Sequence, residues 1–149
     1  MKGSEVKYFL DSNIFMYAAG REHPLKAPCV AVLKRVTQGE MEAVTSTEVL
    51  QEILYRYSTI GEFERGVRLA RLAVDQVSGE VLSVTLADMQ RAFDLADSYR
   101  GAITTRDAVH AATVLGNGLT HVVSADGHFD AIDGITRVAP DKGLRTHRS

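Results

Sequence analysis

Short apolar, β-prone runs that alternate with helical patterns constrain this chain more than any other feature of it. Residues 6–10 (VKYFL), 42–46 (EAVTS), 81–84 (VLSV), 121–125 (HVVSA) and 135–138 (ITRV) read as strands. Between them, apolar residues recur at helical spacing over 13–19, 26–37, 49–57, from 62 through Val74, from Thr85 to Tyr99, and from Thr104 to Leu115. Gly39 and the Gly116-Asn117-Gly118 run stop two of these helices. Strands apolar on both faces and separated by helices predict an α/β fold. The sheet is parallel, of about five strands, and lies inside a three-layer α/β/α sandwich. The alanines of 108–112 predict a helix that approaches the sheet with little intervening side chain.

With 149 residues, 45% of them apolar, the sequence suits one domain spanning 1–149. No apolar run approaches the roughly 20 residues that cross a bilayer, so no membrane association is expected. The first residues turn polar before a signal-peptide core develops, and Cys29 is the only cysteine. Both point to a cytoplasmic protein without disulfides, with Cys29 buried on a helix. A net charge of −2 does not suggest a general polyelectrolyte binder. Local basic residues at Arg65, Arg68, Arg71, Lys142, Arg145 and Arg148 are candidates to touch phosphates, or simply solvated surface.

Four acids stand where strands and helices end: Asp11 in YFLDSNIFMYA, Glu52 in TSTEVLQEIL, Asp107 in ITTRDAVHAAT and Asp126 in HVVSADGHFD. Three of them also have a local explanation. Asp11 can cap a helix, Asp107 completes a Thr104-x-x-Asp107 capping box, and Asp126 precedes Gly127 in a turn. Thr85-x-x-Asp88 and Thr45-x-x-Glu48 have the same box spacing, which explains Asp88 and Glu48 as caps. Glu52, one turn further in and flanked by Leu50, Ile53 and Leu54, has no such local partner. Ligands of open parallel sheets collect at the carboxyl ends of the strands, where these acids converge. Like charges held together raise one another's pKa or need a cation, and oxygen ligands suit Mg²⁺ or Mn²⁺. The acids therefore predict a metal-dependent enzyme that cleaves phosphodiester bonds, with Asp11, Glu52, Asp107 and Asp126 as catalytic and metal-binding residues.

The remaining chemistry narrows the choice. There is no His-x-x-x-His or Cys-x-x-Cys spacing for zinc, no phosphate-binding glycine loop and no nucleophile elbow. A phosphatase of the aspartyl-phosphate type needs a second Asp two residues after the first, and Asn13 holds that place. His110, one turn past Asp107, can face the site, whereas the chain context of His23, His121, His128 and His147 predicts loop, strand-end and tail positions.

Those segments, in that order and spacing over nearly the whole length, resemble the PIN-domain family, and within it the VapC-type toxins. The resemblance implies Asp11, Glu52, Asp107 and Asp126 as the family's acids, with Asn13 supporting Asp11. It leaves open whether Asp130 or Glu48 joins them. It further implies a five-stranded parallel sheet, a Mg²⁺ or Mn²⁺ site, endoribonuclease activity on RNA, a cognate antitoxin that blocks it, and a homodimer. The alternative is a PIN-like module without catalysis that binds nucleic acid or a partner protein.

Overall fold

A computed structural model describes residues 6–142. Arg145, His147 and Arg148 lie outside the described residues. Five strands form one parallel sheet: β1 (Lys7–Leu10), β2 (Glu42–Ser46), β3 (Val81–Leu82), β4 (His121–Val123) and β5 (Thr136–Val138). Their spatial order is β3-β2-β1-β4-β5. Six α-helices connect and flank them: α1 (Ser12–Ala19), α2 (Lys26–Thr37), α3 (Thr47–Thr59), α4 (Phe63–Gln76), α5 (Leu86–Ser98) and α6 (Thr105–Gly116). A 3₁₀ turn at Gly127–Ala131 follows β4, a piece the sequence pattern did not reveal.

The core forms because the central strands are apolar on both sides. Phe9, Leu10, Val122 and Val123 are fully buried between helices that contribute Ile14, Phe15, Val49, Ile53 and Val114. Each such side chain contributes about 1.5–3 kcal/mol through its removal from water. Strand register, with Tyr8 opposite both Ala43 and His121, aligns the carboxyl ends of β1, β2 and β4.

Two glycines set how closely helices approach. A Cβ at Gly66 would lie 2.7 Å from Tyr57 Cβ, so its absence lets α4 meet α3. A Cβ at Gly116 would lie 2.7 Å from Asp88 Oδ1, so α6 ends tight against α5. Only part of the alanine run faces the sheet side, because α5 covers the rest. Ala111 joins the main core, while Ala108 and Ala112 meet Ala92 of α5 in a separate small cluster.

Cys29 is buried on α2, and burial together with the Asp141 carboxylate pushes its thiol up to about 11. Among the described residues no helix is long and apolar enough to cross a membrane.

Candidate metal centre

Strand order turns at β1, which pairs with β2 on one side and β4 on the other. A crevice opens at such a point, outside the carboxyl ends of the strands. Asp11 follows β1 directly, and Ser124, Ala125 and Asp126 follow β4. Both segments therefore meet at that edge.

Asp11 is 4% exposed and uses both oxygens. Oδ1 accepts the Ser12 amide at 2.7 Å, which caps α1, and Oδ2 accepts the Ser124 hydroxyl at 2.7 Å. Asn13 supports it as expected: its Nδ2 donates to Asp11 Oδ2 at 3.4 Å, and its Oδ1 accepts the Ala125 amide at 3.2 Å. Burial raises the Asp11 pKa above the ordinary carboxylate value, against the opposing pull of His110 and the Ser124 hydrogen bond.

Glu52 projects from α3, and the start of that helix corrects one expectation. The cap is Ser46, which accepts the Val49 amide at 3.2 Å. Thr45 is still in β2, fully buried, and donates its hydroxyl to Leu10 O at 2.9 Å, so no Thr45–Glu48 box forms. Glu52 is 9% exposed and does find partners. Its Oε1 lies 3.2 Å from His110 Nε2, and its Oε2 lies 3.4 Å from Arg106 Nε. Burial alone would raise its pKa; the hydrogen bond and charge of His110, the Ser12 hydroxyl and Arg106 outweigh that and lower it.

Asp107 and Asp126 form the other half. Thr104 accepts the Asp107 amide and Asp107 Oδ2 accepts the Thr104 amide, both at 3.1 Å, so the expected capping box exists. The same Oδ2 is 3.0 Å from His128 Nδ1. Asp126 Oδ1 accepts the His128 amide at 2.9 Å and lies 3.1 Å from His128 Nδ1. Capping and clustering thus coexist at Asp11, Asp107 and Asp126. Asp107 Oδ1 and Asp126 Oδ2 have no hydrogen-bond partner among the described residues.

The four acids come together as two carboxylate–imidazole triads: Asp11, Glu52 and His110, and Asp107, Asp126 and His128. Within each, one donor atom per residue lies within 4.8 Å of the others. The Ser124 hydroxyl joins the halves, since it also accepts the Asp126 amide at 2.9 Å, and α6 carries Asp107 and His110 one turn apart.

His110 is 1% exposed, with its Nδ1 buried and without a hydrogen-bond partner among the described residues. Burial would lower its pKa, but the Glu52 hydrogen bond and the charges of Asp11, Glu52 and Glu48 raise it. Sequence context predicts only a loop position for His128, and the structure puts its ring between two acids. The only signal for it was its position two residues after Asp126.

Several other candidates stand apart. Asp130 is taken by Arg137, whose Nε and Nη2 donate to its two oxygens at 2.9 and 3.2 Å. Glu48 reaches the site only through its charge on His110. Arg65 donates to Glu62 at 2.8 Å and lies over the Tyr57 ring.

Clustered carboxylates with two imidazoles suit a divalent cation, and the raised pKa of buried Asp11 marks a charge that lacks full compensation. The crevice thus has the chemistry to hold a metal ion.

An open parallel sheet with an acidic crevice at its turning point defines a class of α/β protein to which known sequences can be compared. A family model described as PIN domain matches residues 8–135. Ribonuclease VapC13 of Mycobacterium tuberculosis is 37% identical over 130 residues, covering 87% of this chain and 98% of that one. Ribonuclease VapC23 of the same species is 32% identical over 118 residues, covering 79% and 91%. The chain belongs to the PIN-domain family, in its VapC branch.

Solved structures agree on the fold. VapBC2 from Rickettsia felis bound to a promoter DNA fragment superposes with a TM-score of 0.70 at 18% identity, covering 89% of this chain and 98% of that one. VapC20 of M. tuberculosis, described as a toxin cleaving the Sarcin-Ricin loop, gives 0.66 at 19% identity, covering 83% and 93%.

Proposed function

We propose that this protein is a metal-dependent endoribonuclease that hydrolyses RNA phosphodiester bonds and acts as the toxin of a toxin–antitoxin pair. The observation that carries this reading is the pair of triads joined through Ser124 at the crevice of the sheet. Family membership supports it, as do the names of relatives that are themselves VapC ribonucleases.

In this reading Asp11, Glu52, Asp107 and Asp126 would hold Mg²⁺ or Mn²⁺, directly or through water, or Glu52 would instead orient the attacking water as a base. A divalent ion supplies Lewis acidity, lowering the pKa of water and offsetting charge on the phosphate oxygens. The chain's own part is to keep the carboxylates fixed. Ser124 and Asn13 orient Asp11, the start of α6 orients Asp107, and His110 orients Glu52. Side chains locked in this way lose little freedom when the site assembles, which favours the transition state.

An antitoxin, a second copy and a cytoplasmic setting belong to the same reading. A groove lined by Phe15, Val30, Leu33, Leu69 and Leu72, between α1, α2 and α4, offers an apolar seat for an antitoxin segment. Tyr55, Ile60, Phe63, Leu86 and Phe93 are apolar side chains left more than half exposed, surface that a homodimer would cover. Purified protein incubated with a structured RNA and Mg²⁺ or Mn²⁺ tests the activity: cleavage that a chelator abolishes supports it, and intact RNA under all conditions refutes it.

A further inference from the structure

Arg106 precedes Asp107 in the first turn of α6, and its side chain is 47% exposed. Among the described residues its one ionic partner is Glu52, touched through Nε at 3.4 Å, too long for a strong charge-assisted hydrogen bond. Its two Nη nitrogens make no hydrogen bond among the described residues. Arg137 is the contrast, with Nε, Nη1 and Nη2 all engaged by Asp130 and the Ser124 carbonyl. Among the described residues, Arg106 is also the only lysine or arginine in ion-pair contact with Asp11, Glu52, Asp107 or Asp126.

Electrostatics gives such a residue a task. Four carboxylates repel a polyanion, and one divalent cation leaves their sum negative. A substrate made of phosphates then needs a cation that can reach out of the crevice. His110 cannot, being 1% exposed, and the half-exposed His128 turns its Nδ1 inward onto Asp107 and Asp126. A guanidinium can, because its fork of N–H donors matches two phosphate oxygens at once.

We infer that Arg106 anchors a backbone phosphate of RNA seated at the crevice, with its Nη groups donating to the non-bridging oxygens. The inference rests on the nuclease reading and adds a substrate contact to it. The competing role is a plain counter-ion for Glu52.

The test compares full-length wild type, Arg106→Ala and Arg106→Lys with one structured RNA. Steady-state cleavage in Mg²⁺ gives kcat and KM; binding of the same RNA in Ca²⁺, with the RNA checked intact, gives affinity as a function of salt. For Arg106→Ala the expected result is a KM raised roughly tenfold or more, with a smaller change in kcat. The slope of log affinity against log salt should shrink by about 0.7, the value of one lost single-strand phosphate contact. Arg106→Lys should keep the parental slope while recovering only part of the affinity, since it retains charge without the fork.

Parental KM and slope in Arg106→Ala, with wild type active, overturn this inference alone and leave Arg106 as the Glu52 counter-ion. A wild type that neither cleaves nor binds RNA overturns the nuclease reading with it. Should Arg106→Ala not fold, Arg106→Lys decides: a raised KM at unchanged slope supports the contact, and a parental KM removes it.

Discussion

The Ser124 hydroxyl donates to Asp11 Oδ2 across 2.7 Å, bridging residues 113 apart in sequence. Ser124 Oγ also accepts the Asp126 amide, so one buried hydroxyl ties the end of β1 to the loop after β4. Removing it leaves Asp11 Oδ2 with only the 3.4 Å contact to Asn13. Ser124→Ala should therefore lower cleavage by about 10- to 100-fold, as loss of a support behind a site carboxylate does. It should also cost about 1–3 kcal/mol in urea unfolding. A parental cleavage rate in the folded variant would count against a joined site.

Asp107 and Asp88 have the same capping geometry on neighbouring helices, which separates structure from chemistry. Asparagine caps as well as aspartate does. Asp107→Asn and Asp11→Asn should thus keep a cooperative melt at or above the parental temperature while cleavage falls beyond detection. Asp88→Asn should cleave normally. Equal loss in all three variants would mean that Asp107 acts only as a cap.

The ionisation of the crevice predicts how stability depends on pH in EDTA. His110 has a raised folded pKa, so its contribution is fully present below its ordinary value of 6.5 and is lost as pH rises through the folded value. Asp11, also raised, acts in the same sense from 3.8 upward: the folded chain keeps a proton that the unfolded chain releases. Glu52, lowered, contributes above 4.5 and loses that contribution as pH falls through its folded value. Unfolding free energy should therefore decline above pH 6.5, and His110→Gln should flatten that decline. Denaturant titrations from pH 6 to 9 measure it; parallel profiles for the two proteins would remove His110 as the cause.

Gly66 faces Tyr57 where a Cβ has no room. Gly66→Ala should destabilise the protein by about 1–3 kcal/mol through overpacking between α3 and α4. Cleavage per folded molecule should stay unchanged. A melt equal to wild type would show that the two helices separate at no cost.

Much of this was legible in the sequence because caps and apolar periodicity are local. Thr85 with Asp88 and Thr104 with Asp107 start α5 and α6 where their spacing says, and the span 26–37 is α2 without adjustment. The same rule failed at Thr45 with Glu48. A box needs its threonine to have left the strand, and pairing of β2 keeps Thr45 inside the sheet. The acids were visible by type and position, but their division into two triads depends on strand order, which periodicity does not encode. Arg106 meets Glu52, and His128 meets Asp107, only when segments distant in sequence come together, although His128's other partner, Asp126, is two residues away.

In the proposed function the crevice must grip a divalent ion for RNA to be cleaved. Calorimetric titration of Mn²⁺ into purified, chelator-stripped protein tests it most directly, with Asp11→Asn alongside. Saturable binding by wild type, lost or greatly weakened in the folded variant, is the predicted result. Binding of equal strength in both, or no binding to wild type, would contradict it.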